Sequence, residues 1–145
     1  VSAERRELAK TFGADEVINP LNNDVISAIK DLTGGEGAHK SVDCSSNSEA
    51  RSQAVKCVRT WGKACYVGEG GDVNLDVSND LIRRQVTLIG SWTFSKNGQA
   101  DCAAFVSERK IHVDALFTHE FALEDAKEAY KLFDKQTTGK GVFLM

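Results

Sequence analysis

"AHKSVDCSSNSEARSQAVKCVRTWGKACYVGEGG", residues 38–71, holds one complete strand–helix–strand unit. Residues 38–46 read as a strand, and "GKACYVGEGG" at 62–71 reads as a short apolar strand that ends in glycines. Between them Ser46 and Glu49 stand at capping-box spacing, and Ala50, Ala54, Cys57 and Val58 recur at helical intervals. Two strands joined by a helix of this length run parallel, because an antiparallel pair needs only a tight turn.

The same alternation extends outward. Asn23 or Asp24 caps a helix whose Val25, Ile26, Ile29 and Leu32 form an apolar stripe ending at Gly34 and Gly35. Upstream, Ser2 caps a first helix with Glu4 in its opening turn, Leu8, Ala9 and Phe12 on one face and Gly13 at its end. Residues 16–19 then read as a strand stopped by Pro20. Downstream, "RQVTLIGSW" at 84–92 reads as another strand. Strands alternating with helices predict an α/β architecture, a parallel sheet covered on both faces in the doubly wound manner. A helix opening the chain calls for a parallel strand before it, so the expectation is that the order begins partway through the sheet.

From about Phe94 the pattern changes. A helix around 101–110 carries Cys102, Phe105 and Val106, a second carries Ala126, Ala129, Tyr130 and Phe133, and 142–145 reads as a terminal strand. A domain boundary is expected near 91–97, with residues 1–93 in one domain and 94–145 in another.

Composition narrows the function classes. A net charge of −3 over 145 residues offers no footprint for nucleic acid or for an anionic membrane surface. No apolar run has transmembrane length, and the N-terminus lacks signal-peptide character. Cys44, Cys57, Cys65 and Cys102 lack paired or metal-ligand spacing, as do His39, His112 and His119. The cysteines are expected to be buried thiols of a reducing, cytoplasmic compartment.

In an open parallel sheet, ligands bind beyond the carboxyl ends of the strands. Those ends are "DCSSN", "VGEGG" and "GSWTF", where Gly68, Gly70 and Gly71 either admit a flat ligand or serve simple turns. There is no GxGxxG opening a helix and no P-loop, so no diphosphate cradle of that kind is built from these residues.

Together "VSAERRELAKTFGADEVINP", "VDCSSNSEA", "GKACYVGEGG", "DLIRRQVTLIGSW" and "FALEDAKEAYKLFDKQTTGKGVF" resemble the C-terminal part of the medium-chain dehydrogenases, in particular the zinc-dependent alcohol, polyol and threonine dehydrogenases. The resemblance covers the whole chain. It implies a truncated Rossmann-type sheet followed by the return of the chain into the catalytic domain. It implies an NAD(P)-dependent alcohol dehydrogenase that moves hydride from a small alcohol to nicotinamide, with NAD favoured over NADP.

The resemblance also assigns positions. Arg5 matches a basic position near the adenosine ribose or its phosphate, and Cys44, Ser45 and Ser46 match strand-end positions on the adenosine side. Val67, Ser91 and Thr93 match positions whose backbone groups hold the nicotinamide carboxamide, with Gly68 allowing close approach and Trp92 walling the cleft or packing elsewhere. The glycine fingerprint, the ribose-binding acid, the zinc ligands and the proton relay of that family lie upstream of the matched blocks. The expectation is therefore a fragment, inactive alone, with exposed strand edges and a homo-oligomer joined through the strand at 86–91. Two alternatives stay open: a zinc-independent quinone or enoyl reductase of the same superfamily, and a non-catalytic Rossmann-like binding or oligomerisation module.

Overall fold

The computed structural model describes residues 2–135 and 137–145. They fall into two compact units, one of residues 18–93 and one of residues up to 17 together with 94–145.

In the first unit, helix α2 (Val25–Leu32) begins where Asp24 accepts a 2.7 Å hydrogen bond from Ser27 N, so Asp24 rather than Asn23 is the cap. Strand β1 (Ala38–Asp43), helix α3 (Ser48–Lys56), strand β2 (Val58–Tyr66), a π-helical turn (Val77–Ile82) and strand β3 (Thr87–Gly90) follow. The three strands form one parallel sheet in the order β1-β2-β3. Helix α3 packs on β1 and β2 around the fully buried Val55 and Val58, with Cys57 and Ala64 completing a small core. Ser41 and Asp43 face α3, so the pleat turns Val42 the other way, where it is exposed.

Arg84 closes the far end of α3. Its guanidinium donates to the carbonyls of Val55 and Lys56, orphan acceptors that the helix terminus leaves, and to Val58 O at the start of β2.

Three local expectations are corrected here. The cap of α3 is Asn47, whose side-chain oxygen accepts from Glu49 N and Ala50 N, while Ser46 sits at φ 57° with its hydroxyl donated to Ser45 O. The Ser46–Glu49 capping box therefore does not form. Residues 16–19 are not a strand: no neighbour among the described residues offers them a ladder, and Asn19 instead organises a turn, accepting from Leu21 N, Asn22 N and Asn23 Nδ2. Of the cysteines only Cys57 is buried; Cys44 and Cys102 are exposed and Cys65 is half-buried.

The second unit contains helix α1 (Ala3–Thr11), helix α4 (Lys96–Glu108), strand β4 (Phe117–Ala122), helix α5 (Ala126–Asp134) and strand β5 (Lys140–Leu144). Ser2 caps α1 by accepting from Arg5 N, as its position predicts. Helix α1 is tied to the 137–138 segment: Ser2 Oγ donates to Thr137 O, Arg5 Nε to Thr138 O, and Thr138 Oγ1 to the Glu4 carboxylate. The expected division, by contrast, kept residues 1–93 together. Helix α4 starts earlier than expected, with Ser95 accepting from Gly98 N, and buries no residue. Strands β4 and β5 pair in parallel with α5 between them, so the tail carries its own strand–helix–strand unit rather than departing from the alternation. The signal for β4 was present in the period-two placement of Phe117, His119 and Phe121. His119, Phe121 and Phe133 stack edge and face at 5.5 to 6.2 Å beneath it.

Among the described residues no helix is long and apolar enough to cross a membrane.

Candidate functional site

The register of the three-stranded sheet sets Asp43 opposite Tyr66 and Tyr66 opposite Gly90. The strands thus end in one row, and the segments that follow them, 44–46, 67–68 and 91–93, emerge side by side. Two hydrogen bonds stitch the row: Val67 N donates to Asp43 O at 2.9 Å and Ser91 N to Tyr66 O at 3.0 Å. Gly68 N also donates to Asp43 O, at 3.1 Å.

These bonds consume specific groups. With the N–H groups of Val67 and Ser91 spent, the carbonyls of both residues and the N–H of Thr93 have no hydrogen-bond partner among the described residues. Two acceptors and one donor of backbone origin therefore stand at adjacent strand ends. Ser46 at φ 57° and Thr93 at φ 43° both occupy the left-handed region, which costs a non-glycine residue on the order of 1 kcal/mol and concentrates at binding sites.

Gly68 is required by packing. A Cβ there would stand 2.6 Å from Ser46 N and 3.0 Å from the carbonyl carbon of Cys44, so its smallness lets the 44–46 loop close onto β2. Gly71 likewise faces Ser46 O at 2.4 Å, whereas Gly70 borders open space at φ +81° and serves the turn.

Behind the row lies a polar cluster that sequence reasoning missed. Asp43 is 4% exposed; its carboxylate accepts from Ser45 N, from Ser45 Oγ at 2.6 Å and from Ser46 N. Arg51, on α3, places Nε 3.5 Å from Asp43 Oδ2 and donates from Nη2 to Gly68 O at 2.6 Å. Its guanidinium also lies 5.5 Å from the centre of the Tyr66 ring, and Tyr66 returns a hydroxyl hydrogen bond to Arg51 O. Burial acts to raise the pKa of Asp43, but the hydrogen bonds from Ser45 and Ser46 and the neighbouring Arg51 guanidinium outweigh it and hold the carboxyl below its ordinary range. Burial pushes the Tyr66 phenol up, so it remains a donor at neutral pH. An acid closing the strand and an arginine eight residues on were visible, but nothing in the spacing showed that they meet.

The other predicted positions divide clearly. Cys44 and Ser45 are exposed at the first strand end, and Trp92, 67% exposed, stands at the third. Arg5 belongs to the other unit, where its Nε is engaged by Thr138 O. That unit also holds an apolar pocket of about 310 Å³ walled by Phe121, Tyr130, Phe133 and Phe143, with no carboxylate or imidazole lining it. Among the described residues no three His, Cys, Asp or Glu side chains are grouped so as to hold a metal ion, so these residues do not fit a zinc site.

The family model for zinc-binding dehydrogenases matches residues 1–109. An uncharacterized zinc-type alcohol dehydrogenase-like protein of Escherichia coli is 36% identical over 140 residues, covering 96% of this chain and 39% of that protein. The L-threonine 3-dehydrogenase of Pyrococcus horikoshii is 31% identical over 152 residues, covering 97% and 41%. The benzyl alcohol dehydrogenase of Acinetobacter calcoaceticus superposes with a TM-score of 0.85 at 27% identity, covering 99% of this chain and 40% of that one. The chain thus spans about two fifths of the length of the relatives it matches. Matched along three quarters of its length, and folded as the corresponding parts of solved alcohol dehydrogenases are, the chain belongs to the zinc-binding dehydrogenase family.

Proposed function

We propose that this chain supplies one wall of the nicotinamide dinucleotide site in an NAD(P)-dependent alcohol dehydrogenase that acts on a small alcohol, polyol or hydroxy amino acid. The observation that carries the reading is the row of strand ends, with the Val67 and Ser91 carbonyls and the Thr93 N–H unspent beside one another. A carboxamide presents two N–H donors and one carbonyl acceptor, the complement of that set. Held there, the nicotinamide ring has one face fixed, which is the protein's share of hydride-transfer catalysis. When bound, the dinucleotide supplies the hydride acceptor. Cys44, Ser45 and Ser46 border the adenosine side, and Trp92 limits the cleft. Because these residues do not fit a metal site, no step is assigned to zinc within this chain.

The zinc-type alcohol and threonine dehydrogenases among the relatives favour alcohol oxidation over quinone or enoyl reduction. NAD is favoured over NADP as the hydride acceptor. A cytoplasmic location and pairing with a second copy through the open edge of β3 complete the proposal; Leu88 and Ile89 on that edge are each 40% exposed.

The test is an absorbance assay at the reduced-nicotinamide band on the protein as naturally expressed, with primary alcohols, polyols and L-threonine offered beside NAD and NADP. Growth of the band with one of them, abolished by a chelator, is expected. Reduction of quinones or enones, with no alcohol oxidised under any condition, would refute the reading.

A further inference from the structure

We propose that Arg51 is a positioning residue for the dinucleotide, holding from behind the two loops that present the cofactor wall. The proposal rests on the cofactor reading given above and adds to it a residue that touches no ligand. The side chain of Arg51 is 9% exposed and lies under the strand ends. Its Nη2 fixes Gly68 O at 2.6 Å, which sets the Gly68–Glu69 peptide, the one that follows the peptide carrying the Val67 carbonyl. Its Nε, buried and without a hydrogen bond of its own, sits 3.5 Å from the Asp43 carboxylate. That carboxylate in turn gathers the backbone of Ser45 and Ser46, and the Asp43 carbonyl gathers Val67 N and Gly68 N.

Arg51 therefore joins the two loops, the one after β2 directly through Gly68 O and the 44–46 loop through its ion pair with Asp43. Tyr66 braces it from β2 through the ring face and through the hydroxyl bond to Arg51 O. Among the described residues, Asp43 is the carboxylate that pairs with Arg51. A planar five-donor guanidinium can bridge a carboxylate and a carbonyl simultaneously, which an ammonium does not reproduce. Losing the bridge frees the Gly68–Glu69 peptide to rotate and leaves the preceding peptide, which carries the Val67 carbonyl of the proposed carboxamide site, anchored by the Gly68 N bond to Asp43 O alone.

The experiment titrates the naturally expressed protein with NADH and with NADPH, following cofactor fluorescence, and compares Arg51→Met, Arg51→Lys and Arg84→Met. Arg84→Met loosens the opposite end of α3 without touching either loop, and so controls for lost stability alone. Expected is a roughly tenfold weaker cofactor affinity in Arg51→Met, the size of one misplaced hydrogen-bonded contact. Arg51→Lys should recover part of it, the KM for cofactor should move more than that for alcohol, and Arg84→Met should bind as the unaltered protein does. Affinity within twofold of the unaltered protein in a folded Arg51 variant would overturn the proposal. So would an equal loss in Arg84→Met, or insolubility of both Arg51 variants, which would mark the residue as purely structural. Failure of the unaltered protein to bind either nucleotide would instead remove the cofactor reading itself.

Discussion

Replacing Gly68 with alanine tests the packing on which the strand-end row depends. The added methyl carbon would stand 2.6 Å from Ser46 N, 3.0 Å from the Cys44 carbonyl carbon and 3.1 Å from Ser45 N, all backbone atoms that cannot swing aside as a side-chain tip would. Ordinary contact begins at 3.4 Å, so the 44–46 loop must retreat by the better part of an ångström. That retreat stretches the bonds by which the Asp43 carboxylate holds Ser45 and Ser46. Overpacking of this kind costs about 1–3 kcal/mol, equivalent to roughly 2–4 °C of melting temperature per kcal/mol in a protein of moderate size. The control is Gly90→Ala at the end of β3, where nothing lies within 4 Å of the new atom and φ is unremarkable. Thermal unfolding followed by circular dichroism should place Gly68→Ala several degrees below Gly90→Ala, with weaker NADH binding as well. Melting temperatures within a degree of each other would show that the loop does not close on β2 as described.

Three further outcomes follow from the same contacts. Arg84→Met leaves the carbonyls of Val55, Lys56 and Val58 short of a donor and should cost about 1–3 kcal/mol, read as a lower urea midpoint; an unchanged midpoint would contradict the helix-closing role. The folded pKa of Asp43 lies below its unfolded value of about 3.9, so its stabilisation is complete above roughly pH 5 and is lost as pH falls through the folded pKa. Urea midpoints measured from pH 6 down to pH 3 should therefore fall less steeply in Asp43→Asn than in the unaltered protein, and parallel slopes would refute the assignment. Trp92→Ala, at a side chain 67% exposed, should leave the melting temperature within a degree while reducing cofactor affinity; a large drop in stability would make Trp92 a packing residue instead.

The sheet was legible because its signals are local. Strand-like stretches at 38–43 and 62–66 bracket a helix, and that arrangement dictates a parallel pair. The cap of α3 was misread by one position because Ser46 and Asn47 are both competent cap residues; the left-handed turn at Ser46 needed to enter the helix decides between them. Residues 16–19 have strand-like composition, yet a strand exists only where a neighbour accepts its hydrogen bonds. The positions bordering the proposed site came from resemblance and not from spacing. Asp43, Arg51 and Tyr66, which hold that site's shape, were invisible because a helix residue and two strand residues meet only after the crossover folds.

The central claim is that segments 44–46, 67–68 and 91–93 together form the nicotinamide dinucleotide wall. Amide hydrogen–deuterium exchange of the naturally expressed protein, with and without saturating NADH, tests it segment by segment. The account predicts slower exchange on binding in all three segments, including the Thr93 amide, with the β4–α5–β5 unit around Phe121 and Phe133 far less affected. Protection confined to that aromatic unit, with the three strand-end segments unchanged, would contradict it.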